Sequence, residues 1–355
     1  MTTTEIGRQR LAQQRLAHNQ FQTPEEVVAW LGAVQAQDYP GTLWSLGLRL
    51  QPTTERVIEQ AFDEGRILRT HVMRPTWHFV TPADIRWLLA LTAPRVNAVN
   101  GYRVRQLELD DDQFSRSQAV IVKTLQGGRT RTRAELGAVL TEAGIGVQGQ
   151  RLAYIMMRAE LDAVVCSGPR RNKQFTYALL DERAPQSRSL PRDEALAELT
   201  RRYFTGHGPA AVSDFVWWSG LTTADARAGL SAVAADLVHM VVGGETYYFS
   251  PTMPPAFPSE TAFLLPMFDE FWLGYTSADR TRRGGPEKVQ NAMTRPSVVI
   301  NGQNAGSWQR TFKQKTAVIE FTASIPLTPA QETAVAAAAQ RYGAFVGLPV
   351  MLINM

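Results

Sequence analysis

A single cysteine, Cys166, stands in the 355 residues. That excludes an intramolecular disulfide and a thiolate zinc cluster, and it fits a reducing compartment. No stretch reaches about 18 uninterrupted apolar residues, and the opening Met1-Thr-Thr-Thr-Glu5 has neither the basic nor the apolar region of a secretory signal. The expectation is a soluble, cytoplasmic protein without a membrane partner. Also missing are a Gly-Lys-Ser/Thr phosphate loop, a His-Glu-x-x-His zinc pair and a Gly-x-Ser-x-Gly elbow. The five histidines, His18, His71, His78, His207 and His239, show no metal-ligand spacing. No metal and no other cofactor is expected. Gly144-Ile-Gly146-Val-Gln-Gly149 has the spacing of a dinucleotide fingerprint, but it follows a helical pattern instead of a strand and reads as a turn between helices.

What is present is a globular composition, 44% hydrophobic and 20% charged, long enough for two or three domains. The net charge of +4 is unevenly spread. From Lys123 to Arg202 there are 14 basic residues against 9 acidic, and from Arg280 to Lys315 there are 8 against Glu287 alone. The rest of the chain is net acidic. Such segregation suits a phosphate backbone, which Lys and Arg hold as point charges and forked donors; a solvated surface is the plainer alternative.

Helical periodicity leads through Ile6, Leu11 and Leu16 to Thr23-Pro24-Glu25-Glu26, an N-cap with proline in the first turn. A helix is expected from Pro24 to Gln37, ended by Asp38-Tyr39-Pro40-Gly41. Next come a helix over Thr54–Glu64 and two β-leaning runs, Ile67–Met73 and Thr76–Val80, parted by Arg74-Pro75. Thr81-Pro82-Ala83-Asp84 then caps a helix through Leu91. The pattern recurs: helices at Ser115–Leu125, Thr132–Ala143 and Gln148–Asp162, with Thr132 and Glu135 as a capping box, then strands Ala163–Cys166 and Gln174–Leu179. A third round reads Asp193–Phe204, Ala210–Trp218, Thr223–Ala235, Leu237–Val242 and Thr246–Phe249. Past Pro251–Pro258 the texture becomes strands, at Ala262–Leu265, Ser297–Ile300, Ala305–Trp308 and Thr316–Phe321. Thr328-Pro329 caps an alanine-rich helix to Tyr342 before the apolar tail Leu348–Ile353. The expected fold class is α+β, with three helix-and-wing units at 1–110, 111–190 and 191–255 and a β-rich domain with a terminal helix at 256–355.

Two short segments carry the chemistry. Asp269-Glu270 sits inside the apolar run Phe263–Tyr275, where an acid needs a partner or a task. An ion pair with one of the nearby arginines is the simpler account. A glycosidase acid and nucleophile pair fails, because adjacent residues do not face one bond across the required gap. Asp110-Asp111-Asp112 reads as a solvated turn. The second segment is Gln35-Ala36-Gln37: on a continuous helix residues two apart point about 200° apart, so the two glutamines share a site only where the helix unwinds. Two surface glutamines at a helix end are the plain alternative.

Together the segments resemble the winged-helix DNA glycosylases of the AlkZ-like family. The resemblance rests on Gln35-Ala-Gln37, Arg69-Thr-His71-Val-Met-Arg74-Pro-Thr-Trp-His78, Gly208-Pro209, Trp218-Ser-Gly220-Leu, Leu264-Leu-Pro266, Asp269-Glu270, Leu273-Gly274-Tyr275, Asp279-Arg280, Ile300-Asn-Gly302 and Gly306-Ser-Trp308, in family order. Pro75 stands where many members have glycine, which bears on the turn of the first wing. The resemblance implies three tandem winged helices plus the β-rich domain as a cradle for double-stranded DNA. It implies a monomeric, monofunctional DNA glycosylase without lyase activity that hydrolyses the N-glycosidic bond of N7-alkylguanine and unhooks interstrand crosslinks, in base excision repair or in self-resistance to a DNA-alkylating natural product. It makes Gln35 and Gln37 catalytic; the related YcaQ branch has Asp at the second place. With the local charge, it makes His71, Arg74, Arg171, Lys173, Arg282, Arg283 and Lys313 DNA-binding. The competing reading is a non-enzymatic winged-helix DNA-binding protein or transcriptional regulator.

Overall fold

In a computed structural model the chain is described over residues 2–18, 20–252, 254, 257–276, 278–279 and 295–354. The fold mixes helices with four small sheets and carries a strand-rich C-terminal part. Two compact units form: Met1–Glu59 with Ala197–Trp218 and Thr222–Met355, and Gln60–Leu196 with Ser219–Leu221. Among the described residues no helix is long and apolar enough to cross a membrane.

The contiguous unit repeats helix, short strand, helix, helix and two strands over Asp111–Leu125, Arg131–Thr132, Arg133–Glu142, Arg151–Leu161, Val165–Ser167 and Thr176–Leu179. Thr132 accepts from the Glu135 N–H while the Glu135 carboxylate accepts from the Thr132 N–H, completing the expected capping box. Phe114, Ile121, Leu136, Leu140, Ile155 and Met156 form its core. The same unit holds the hairpin Leu68–Val72 and Arg74–Val80. Arg74-Pro75 does not separate these strands, as the sequence pattern suggested. Met73, at φ 64°, makes the turn alone, and Pro75 lies exposed within the second strand. The following helix is also longer than expected. Ile85–Gln106 continues through Pro94. A proline removes one helical bond, but the buried face from Ile85 to Val96 keeps the helix packed on either side of it.

In the other unit a five-stranded sheet runs in the order Val350–Asn354, Thr316–Ala323, Gln303–Lys313, Ser297–Ile300, Ala262–Leu265. All pairs are antiparallel except the first, where the apolar tail joins as a parallel strand. The helix Pro329–Val346 makes that parallel return possible. It also buries Tyr342 and Phe345 against Trp44 of the helix Tyr39–Gly47, at ring separations of 5.0 and 5.1 Å. Three indoles are pinned by hydrogen bonds to this region: Trp44 to the Leu264 carbonyl (2.6 Å), Trp308 to the Leu265 carbonyl (2.8 Å) and Trp272 to the Ser297 hydroxyl (2.9 Å).

Polar groups tie the termini of this unit together. Arg49 is fully buried and grips Asp269 in a two-pronged pair, Nη1 to Oδ2 and Nη2 to Oδ1, each at 2.9 Å. Ser45 Oγ donates to the same carboxylate at 2.6 Å, and Gln14 Oε1 accepts from Arg49 at 2.8 Å. Arg10, equally buried, donates to Asp279 at 2.6 Å and lies 3.7 Å from the Tyr275 ring centre. Burial opposes the Arg10 charge, but Asp279, Tyr275 and Asp214 outweigh it, so its pKa is raised.

Removing one member of the Arg49 and Asp269 pair strands a charge in the core. Asp269→Ala is expected to lose about 3–5 kcal/mol of stability, and replacing both residues with apolar ones to lose clearly less than Asp269→Ala. Urea unfolding of both variants checks the ordering.

Candidate active site

The helix Pro24–Leu31 stops at Gly32, whose φ of 80° is cheap only for glycine. Val34–Gln35 is extended, and Tyr39–Gly47 opens a new helix with Pro40 in its first turn. The helix expected to reach Gln37 therefore ends six residues short. Asp38-Tyr39-Pro40-Gly41 starts a helix instead of ending one, since a proline fits the first turn, where its missing N–H costs nothing. The unwinding required for the two glutamines thus occurs, and it lies ahead of them. The extended run ends at Gln35, and Gln37 lies in the bend before Tyr39–Gly47. Gln35 is 7% exposed, whereas Gln37 is exposed to solvent.

The backbone of Gln35 is clamped from both sides. Its N–H donates to Glu270 Oε1 at 2.9 Å, and its carbonyl accepts from Thr42 Oγ1 at 2.9 Å. Thr42 lies on the new helix and also donates to the Asp38 carbonyl at 2.8 Å. Glu270 is fully buried at the start of the helix Glu270–Leu273. Its Oε2 accepts the Trp218 indole N–H at 2.9 Å and lies 3.4 Å from His207 Nε2. His207 is buried too, stacked at 4.8 Å on Tyr203. The two acids singled out from the sequence thus divide their work. Asp269 pairs with an arginine, but with Arg49 from far along the chain and not with the nearby one expected, and Glu270 takes the N–H of the glutamine segment.

Asp38 follows the glutamines directly and is half-buried. Burial raises its carboxyl pKa, against the pull of Arg310 and of the Gly41 N–H. A Cβ at Gly41 would meet the Asp38 carboxylate, so a larger residue there would displace that side chain. Arg310 lies 5.5 Å from the ring centre of Tyr342, whose hydroxyl is pushed up to about 12 by burial.

The residues expected to meet DNA fall in different settings. Lys313 is exposed at the end of the strand Gln303–Lys313, in the same unit as the glutamines. Lys173 and Arg171 are exposed in the turn before Thr176–Leu179 of the contiguous unit, and Arg171 pairs with Glu135 at 2.7 Å. Arg74 is half-buried at the start of its strand. His71 is buried in the partner strand, its Nδ1 against Glu160 Oε2 and its ring 4.4 Å from that of Trp77. Arg282 and Arg283 lie outside the described residues. Sequence reasoning missed His207 and Trp218 as partners of Glu270, and Arg310 beside Asp38. The acid buried in an apolar run was a usable signal for Glu270, but the others are recognisable only once distant segments meet.

A model of the family described as DNA glycosylase AlkZ-like matches residues 28–345. The chain is 23% identical over 326 residues to the interstrand DNA cross-link repair glycosylase of Streptomyces sahachiroi, covering 84% of this chain and 85% of that protein. Its fold matches the solved structure of Streptomyces sahachiroi DNA glycosylase AlkZ with a TM-score of 0.79, at 19% identity, over 99% of this chain and 100% of the other. With the family matched across most of its length, the chain belongs to the AlkZ-like DNA glycosylases and is an enzyme that acts on DNA.

Proposed function

We propose that the chain hydrolyses the N-glycosidic bond of N7-alkylated guanine in duplex DNA, interstrand crosslinks included, as a monofunctional glycosylase whose catalytic residues are Gln35 and Gln37. The observation that carries this reading is the break between two helices, with Gln35 fixed through its backbone by Glu270 and Thr42 and Gln37 exposed two residues on. A relative named as a cross-link repair glycosylase supports the substrate class. The biological setting is base excision repair or self-resistance to a DNA-alkylating natural product.

Alkylation at N7 places a positive charge on guanine, so the base leaves without a general acid. Its departure leaves an oxocarbenium-like sugar. The enzyme must then supply a positioned water and negative dipole density near the cation. A glutamine carbonyl provides that dipole while the amide hydrogens hold a second group. In this reading Gln37 orients the water and Gln35 holds the water or the sugar. A neutral amide is a weak base, so ordinary guanine, a far poorer leaving group, is spared. The winged segments over 1–110, 111–190 and 191–255 and the β-rich part from 256 are assigned to holding the duplex. Arg74, Arg171, Lys173, Arg282, Arg283 and Lys313 grip phosphates, and His71 supports the first hairpin from inside.

Gln37→Ala is expected to slow single-turnover release of N7-methylguanine by at least about 100-fold, with duplex affinity kept; an unchanged rate refutes the catalytic assignment. Glu270→Gln keeps the shape but turns an amide toward N–H donors. Losing a charge-assisted hydrogen bond costs about 1.5–3 kcal/mol, so release should slow by roughly 10–100-fold, read in the same assay. Replacing Lys173 and Lys313 together by Ala should flatten the log affinity against log salt slope by about 2, measured by anisotropy titration on a duplex.

A further inference from the structure

The contiguous unit contains a cavity of about 360 Å³ that the glycosylase reaction leaves unassigned. It opens between the hairpin that carries Arg69 and Trp77 and the segment that carries Arg133, Lys173, Phe175 and Tyr177. The volume sits low in the roughly 300–1,000 Å³ range of small-molecule sites. It has room for one nucleotide and not for a base pair. We infer that this cavity is a second DNA-binding pocket, which takes a single unpaired, undamaged nucleotide, its base against the aromatic wall and its phosphate on Arg133 and Lys173.

The wall is rigid before anything binds. The Arg69 guanidinium is layered between Trp77, 4.2 Å from the ring centre, and Phe175, 4.4 Å away. Arg69 is only 7% exposed. Behind Trp77 the His71 ring packs at 4.4 Å, itself held by Glu160. The partly exposed rims of Trp77 and Phe175, held in this layer, meet a base edge to face, a contact tolerant of base identity because every base has a π-face. A phosphate clamp alone would need no such wall.

The rim supplies charge. Arg133 and Lys173 are exposed and, among the described residues, neither has an acidic partner, whereas neighbouring Arg171 is engaged by Glu135. The described lining holds three cations and no carboxylate. That charge decides what the pocket accepts. With the same phosphate on Arg133 and Lys173, a cationic N7-alkylated guanine beside Arg69 is held less well than a neutral base. The charge therefore favours an undamaged base in this cavity. It suits a nucleotide displaced from the stack when the helix around a lesion is disturbed.

The inference rests on DNA as the substrate, and anisotropy titrations of the full chain test it. The probes are an intact duplex, the same duplex with one unpaired nucleotide, and the same duplex with an abasic residue at that position. Wild type should bind the bulged duplex about tenfold tighter than the intact one, and the abasic bulge should lose that gain. Arg133→Ala and Phe175→Leu should each bring the preference close to unity while affinity for intact duplex and N7-methylguanine release stay within twofold. Gln37→Ala, which tests the catalytic reading, should keep the preference, so the two readings fail separately. Equal binding of intact and bulged duplexes by wild type overturns the inference, as does an abasic bulge bound as tightly as the complete one. Variants that weaken both duplexes equally overturn it too. Saturation by free dGMP with no gain from the bulge would assign the pocket to a free nucleotide and also end the DNA reading.

Discussion

Two adjacent carboxylates in an apolar core set the constraint from which the glutamine-bearing unit is built. Asp269 and Glu270 are both fully buried, so each must find donors inside the protein. They find them on opposite sides. Asp269 takes the Arg49 fork and the Ser45 hydroxyl, which fixes the end of the helix Tyr39–Gly47. Glu270 takes the Trp218 indole and the Gln35 backbone N–H, which fixes the segment just before that helix. One short turn therefore holds the glutamine segment through Glu270 and the helix that follows it through Asp269. A shift at this turn would move the backbone that carries the glutamines.

The arrangement also bears on the proposed role of the two glutamines. A helix would send the two side chains to opposite sides, and a mobile loop would let them wander. The two-residue strand Val34–Gln35, clamped by Glu270 and by Thr42, keeps the Gln35 amide beside a dry interior, while Gln37 lies in the bend that follows, exposed to solvent. In the proposed reaction the buried carboxylate orders this backbone without touching the substrate.

Local signals were legible in the sequence wherever the cause was local. Thr23, Thr132 and Thr328, each read as a cap, all cap helices with completed boxes. The strand Ala262–Leu265, the strand Ser297–Ile300 and the dinucleotide-like glycines in a turn between helices were readable for the same reason. The helix end at Gly32 was misread because Pro40-Gly41 is the louder breaker, although a proline in a first turn starts a helix as readily as a proline beyond a last turn follows one. The parting of the first hairpin at Arg74-Pro75 was misread similarly, since nothing in the sequence marks Met73 for a positive φ. The resemblance pointed to the glutamines, but what holds them was not visible. Glu270 is 235 residues from Gln35 and Arg49 is 220 from Asp269, so the contacts exist only after folding.

That separation has a consequence for how the protein is made. The unit that carries Gln35 is assembled from the beginning and the later part of the chain, with the contiguous unit inserted between them in sequence. Residues 60–196 emerge as one stretch and lack only Ser219–Leu221 of their unit. The glutamine segment must wait for Glu270, and the five-stranded sheet for Val350–Asn354. At about 5–20 residues per second the wait for Glu270 is on the order of tens of seconds. Throughout it, the first 59 residues stand without the acids that order them, a long interval for apolar helices to remain uncovered. Ordering of the Gln35 backbone is thereby tied to synthesis of the chain as far as Glu270.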